Sequence, residues 1–435
     1  MIRTPVFLIL LAAVVGRTLP APAASGAALD WPGFRGPTGD GLALQARLPL
    51  IWSETTNVAW KVAVTGRGRS SPIVLQDRIW LTTAVERGVV RKYIGPDDMQ
   101  TAEHVSLRAV CLDRETGKTL WEVTLFDVPN PDPVHWLNSW ATPTPVTEPG
   151  RVYCDFGTHG TVCLDAATGK VLWQQQLRLD HQVGPGSSPV LWQDRLILVR
   201  DGRDAQYVTA LDKHTGKTLW KTERPPINAS HPNLKKSFST PLLIAPGDAS
   251  QVVAPGAHWT VAYDPRTGAE LWRVRHGDGF SIGTSPVFGH GLVFFGTGCH
   301  KAQLWAVRAD GQGDVTTTHF AWRTLRQVPV MSSPICVGDE LYWVSDDGMA
   351  TCVDAKTGDV HWQERLGGAC LASPVAIPSR LYFFRQDGTT VVLKAGRQFE
   401  RLAENRIEGT VVASPAVSGD ALFLRTDTHL YRLQQ

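Results

Sequence analysis

The sequence predicts an all-β fold: an eight-bladed β-propeller of four-stranded antiparallel blades, closed by an N-terminal strand that completes the last blade. Three observations predict it. A ten-residue motif recurs along the chain, a Ser/Thr-Pro marker recurs out of phase with it, and 16 Trp stand against 7 Tyr in 435 residues. So large an apolar payload suggests one repeated packing role.

The motif runs LDRETGKTLW from Leu112 to Trp121, LDAATGKVLW to Trp173, LDKHTGKTLW to Trp220, YDPRTGAELW to Trp272 and VDAKTGDVHW to Trp362. Weaker copies end at Trp322 and, with Phe standing in for Trp, at Phe399. Its Asp can close an Asx-turn, its Thr-Gly step supplies the positive φ of a hairpin, and the residues after Gly restart a strand. The second marker places Pro at 72, 145, 189, 241, 286, 334, 374 and 415, where it begins a strand and its missing N–H costs least.

One unit is therefore strand A after the Pro, a tight turn, strand B (78–82), a loop, strand C (107–112), the Thr-Gly turn, and strand D with the Trp. The mean step of about 49 residues is the period of a propeller blade. Eight Pro markers face only seven downstream aromatic positions. The eighth is Trp60, upstream of Pro72, while the last unit from Ser414 stops after three strands. The segment around Trp60 then completes the last blade and removes the open edge.

Composition narrows the function classes. Lys+Arg 43 against Asp+Glu 41 leaves +2, which argues against a nucleic-acid binder held by excess positive charge. Arg3, the apolar run from Val6 to Val15 and the small residues up to Ala24 read as a cleaved signal peptide. The run is too short to span a bilayer. The expected organisation is signal peptide 1–24, leader 25–56 and propeller 57–435, in an extracytoplasmic protein, periplasmic or secreted, with no transmembrane span after cleavage. With no Cys before Cys111, an N-terminal Cys lipoprotein is excluded. The seven Cys contain no C-x-x-C. Neither a zinc site nor a redox pair is supported, although a Cys154–Cys163 bridge across a hairpin is open.

The repeated A-x-x-T-G-K-x-x-W pattern, as in Ala166 to Trp173, resembles the tryptophan-docking motif of the PQQ-repeat (quinoprotein-like, BamB-like) β-propellers across residues 57–435. The leader WPGFRGPTGDG from Trp31 to Gly41 is similar to one that precedes many secreted bacterial members. The resemblance implies either a dehydrogenase holding pyrroloquinoline quinone (PQQ) with Ca²⁺ in the central funnel or a scaffold without cofactor. The adjacent Cys-Cys pair of many dehydrogenases does not occur here, nor does a calcium-loop pattern. The reading that follows is a binding or protein-interaction scaffold for envelope proteins or a small ligand, the alternative being a PQQ-dependent dehydrogenase. No metal site and no certain cofactor are assigned.

A ligand would sit where the D-to-A and B-to-C connections surround the channel mouth. The long connections are 126–140, 222–238, 273–283 and 83–106, and eight of the 13 His, among them His300, fall in the two loop sets as a whole. The sharpest cluster is His135 to Trp140. His135, Asn138 and Trp140 could face the mouth, with Arg67, Arg69, Arg200 or Lys235 reaching in to bind carboxylates. Trp136 and Trp140 equally suit a cap on the core between blades. Asp201-Gly202, Asp347-Gly348 and Asp387-Gly388 read as hairpin turns. Trp60, Trp121, Trp173, Trp220, Trp272, Trp322 and Trp362 are the structural set.

Overall fold

The computed structural model describes residue 1 and residues 30–91, 98–247 and 249–435. The expected signal peptide and the first residues of the leader lie outside them. Eight antiparallel blades stand in a ring. Blade 1 contains Ile73–Leu75, Arg78–Arg87, His104–Asp113 and Thr119–Pro129, from channel to rim. Blades 2 to 7 span 146–175, 190–223, 242–275, 287–324, 335–365 and 375–406. Blade 8 takes Ala416–Ser418, Ala421–Arg425 and His429–Leu433 from the C-terminus and Val58–Ala63 from the N-terminus as its outermost strand. The circular closure read from Trp60 is therefore present.

The repeated motif works as expected. Asp113 Oδ1 accepts from Thr116 N at 2.8 Å and Thr116 Oγ1 at 2.7 Å, and Gly117 follows at φ +70°. Asp165 and Asp212 repeat the pattern. The Trp then docks on the next blade. The indole N–H groups of Trp60, Trp121, Trp173, Trp220, Trp322 and Trp362 donate to the backbone carbonyls of Arg114, Ala166, Lys213, Pro265, Ala355 and Gly396. Beneath five of these rings lies the glycine of the next Thr-Gly turn. At Gly117, for example, a Cβ would meet the Trp60 ring at 2.9 Å.

Two positions depart from the rule. Trp272 donates to Gln251 Oε1 of its own blade at 2.8 Å. The next blade lacks the Thr-Gly turn, and Gly313–Asp314 from its long C-to-D connection instead pairs in parallel with Trp272 and Arg273 as a fifth strand. Phe399 does not hold the Trp position of blade 7. The register places buried Ala403 opposite Val392, as Trp362 lies opposite Cys352. Phe399 sits in the preceding turn and packs edge-on against Trp362 at 5.3 Å. The turn is one residue longer than that of blade 6, and Phe399 falls four residues before the Trp position, ahead of the strand.

Further corrections concern blade 1 and the cysteines. Blade 1 is taller than read: strand B runs to Arg87, strand C starts at His104 and strand D reaches Pro129. Much of the expected 83–106 loop is therefore strand. Cys154 and Cys163 form no bridge: both are buried thiols.

The Ser or Thr before each Pro has a role the Pro alone does not reveal. Its N–H donates to the hydroxyl of its counterpart in the next blade: Ser71 to Thr144, Thr144 to Ser188, Ser188 to Thr240, Ser285 to Ser333, Ser333 to Ser373 and Ser373 to Ser414, at 2.9–3.0 Å. The ring around the axis lacks this link at two opposite seams, blades 4/5 and 8/1. There the Ser285 and Ser71 hydroxyls have no partner among the described residues.

The leader crosses the channel. Trp31 exchanges both backbone bonds with Val74 of blade 1, Thr147 N of blade 2 donates to Pro32 O, and Arg35 Nη2 reaches Pro334 O of blade 6 at 2.6 Å. Ala376 of blade 7 then pairs with Gly41 and Ala43. Gly36, at φ +88°, lies so close under the Trp31 ring that a Cβ would meet it at 2.9 Å.

His276 is enclosed in the core between blades 4 and 5, with Phe295 at 5.7 Å and Trp305 at 6.5 Å. Burial pulls its imidazole down to about 4, whereas unfolded it titrates near 6.5. Because the folded value is the lower, its contribution is full above about pH 6.5 and is lost as pH falls towards 4, worth about 3 kcal/mol at 1.4 per pH unit. Acid melting curves of the wild type are expected to drop over that window more than those of His276→Phe. Equal drops would clear His276.

Candidate functional site

Between the leader and the loop face, the channel widens into a cavity of about 880 Å³. Its wall includes Thr144, Ser188, Thr240, Ser373 and Ser414 of the hydroxyl ring and Phe34 of the leader. Since the leader crosses beneath, the cavity is a blind cup open towards the connections between blades.

The cup gathers Arg69, His135 and Asn138 of the residues expected at the mouth. Asn138 acts as a tie: its amide donates to Val183 O at 2.9 Å and Pro185 O at 3.1 Å, joining two successive D-to-A connections. His135 pairs through its backbone with Met99 in a short ladder, and its Nδ1 accepts from Leu137 N at 3.2 Å. Arg67 lines only a small polar recess of about 60 Å³ that it shares with Arg69, Glu86 and Asp427. Lys235 ends a short 3₁₀ turn, Pro232–Lys235, and it is the next residue, Lys236, that lines the cup.

Trp140 and Arg200 are not on the wall. Trp140 is 2% exposed, packs in the core of blades 1 and 2, and donates to Asp132 O at 2.8 Å. Arg200 is buried in an ion pair with Asp155 at 2.6 Å, and Asp155 also accepts from Thr161 Oγ1. The same device recurs one step on, where Asp201 holds Arg224 at 2.7 Å and Arg224 donates to Ala254 O of blade 4. Asp201 thus does more than shape a turn.

Sequence reasoning missed Phe34, Lys236 and Phe280, and it placed His300 only among the loop histidines. The Phe280 and His300 rings stack at 5.4 Å with 21° between planes. Gln182, Ser281 and His300, all on the wall, take left-handed φ of 62°, 51° and 53°. Non-glycine residues held there cost about 1–3 kcal/mol each, and such strain concentrates at functional sites. Only the lone Phe in a Gly/Pro-rich leader could have flagged Phe34 beforehand.

The electrostatics are one-sided. Lys236 is 4% exposed, its ammonium donates to Gln182 Oε1, and burial pulls it down to about 8. Burial, reinforced by Arg67, likewise draws Arg69 down to about 10. The wall's carboxylate is Asp346, tied by the N–H groups of Val330 and Met331, and burial raises it. Among the described residues no three His, Cys, Asp or Glu come together to hold a metal ion. No helix of the described residues is long and apolar enough to cross a membrane.

Comparisons with known proteins agree with the fold. BamB from Moraxella catarrhalis superposes with a TM-score of 0.57 at 16% identity, covering 86% of this chain and 99% of that one. Quinohemoprotein alcohol dehydrogenase from Comamonas testosteroni gives 0.60 at 13%, covering 93% and 80%. A curated relative, the dehydrogenase subunit of a quinone alcohol dehydrogenase from Komagataeibacter europaeus, is 25% identical over 331 residues, 62% of this chain but 40% of that protein's length. The family model described as outer membrane protein assembly factor BamB matches residues 107–255 and 257–398, well over half of the sequence. With the docking tryptophans and eight closed blades, this places the chain in the PQQ-repeat β-propeller family.

Proposed function

We propose that this protein is an extracytoplasmic binding propeller that takes a small, partly apolar ligand in the blind cup, with the loop face around it free to meet other envelope proteins. The observation that carries the reading is the cup itself, about 880 Å³ and floored by Phe34 of the chain's own leader. That volume lies in the range of ligand cavities, which are mostly apolar with a few placed polar groups. The basic, apolar and small-residue start of the sequence supports export.

A second reading, a quinone-dependent dehydrogenase, is favoured by the curated relative. One titration series tests both. The neutral fluorophore N-phenyl-1-naphthylamine is expected to bind saturably at one site, and Asn233→Trp, placed on the cup wall, to weaken it about 10-fold or more by filling space. Unsaturable binding, or binding indifferent to Asn233→Trp, overturns the cup. PQQ with Ca²⁺ is expected to give neither a spectral change nor thermal stabilisation; both, together with dye-linked alcohol oxidation, would favour the dehydrogenase.

A further inference from the structure

We propose that the cup selects an apolar ring bearing one carboxylate, the carboxylate on Lys236 and the ring against Phe34 and Phe280. The proposal rests on the binding reading above and deepens it. Lys236 presents an ammonium with three donors, and Gln182 Oε1 takes one of them. Among the described residues Lys236 makes no direct ion pair, Asp180 acting on it only at longer range, whereas Arg69 shares its recess with Glu86 and Asp427; Lys236 is therefore the cation of the wall left to a ligand. Burying a charge without a partner is costly, and an anion arriving there recovers that cost.

Asp346 is turned to its own loop, its Oδ1 accepting from the Val330 and Met331 N–H groups, and it is not among the groups that act on Lys236. A single ammonium backed by one amide suits a monoanion. The rest of the recognition is apolar: Phe34 closes the floor, and Phe280 is fixed by its stack on His300. Ring faces prefer such offset or edge contacts.

The test is competition against bound N-phenyl-1-naphthylamine by 1-naphthoate and by 1-naphthalenemethanol, which share a ring and differ in charge. In the wild type naphthoate is expected to compete about 10-fold better or more, the worth of a hydrogen bond to a charged group. In Lys236→Met the preference is expected to vanish while fluorophore binding persists, which also reports that the variant folds. Lys236→Arg is expected to keep the preference, and Phe34→Ala to weaken both competitors alike. Equal competition in the wild type, or a preference untouched by Lys236→Met, overturns the proposal. Failure of the fluorophore to bind at all overturns the cup reading instead.

Discussion

Removal of residues 25–62 is expected to abolish cooperative folding of the ring. Without its outer strand, blade 8 loses the ladder from Val58–Leu433 to Val62–Leu430 and leaves His429–Leu433 as an open edge. Blade 1 loses the Trp60 ring from over Gly117, and the cluster of Trp31, Trp52, Phe423 and Tyr431 is opened to water. The milder Trp60→Ala is expected to cost about 3–5 kcal/mol, the usual range for truncating a packed Trp, although partial exposure of this ring favours the lower end. Calorimetry and size-exclusion chromatography read both outcomes. A truncated protein that melts at the wild-type temperature would refute closure by the N-terminal strand.

The second large effect concerns the buried pair Asp155–Arg200. Asp155→Ala leaves a guanidinium 1% exposed with its carboxylate partner gone. Breaking a buried pair from one side costs about 3–5 kcal/mol. The double change Asp155→Leu with Arg200→Met is expected to recover most of the loss, since an apolar pair of similar volume is often as stable. Urea unfolding of the single and double variants measures the difference. If Asp155→Ala costs under about 1 kcal/mol, the pair contributes little to holding blade 3 on blade 2.

Whatever in this molecule is governed by local chemistry was legible in the sequence. The Asp-x-x-Thr-Gly turn dictates its own hydrogen bonds, and the Trp that follows has one place to go. Eight blades and their circular offset follow from counting such markers. Phe399 was misread because it is the aromatic nearest the expected place, although it precedes the Trp position by four residues, and register emerges only when strands pair. The hydroxyl ring went unread because each bond joins residues some 40 to 70 apart whose proximity the ring itself creates. The cup was half legible. Arg69, His135 and Asn138 lie in loops that any propeller turns inward, whereas Phe34 reaches the wall only because the leader passes beneath the channel. Arg200 looked like a free loop cation, yet it lies at the end of a strand opposite an acid in the neighbouring blade.

The floor of the cup and the strand that fastens the ring belong to one stretch of chain, from Trp31 to Ala63. A molecule resting on Phe34 therefore presses on the same segment whose release would let blade 8 come apart. Occupancy and fastening share a thermodynamic cycle: whatever fills the cup tightens the clasp, and a mutation that loosens the clasp is felt as weaker affinity at a site it never touches.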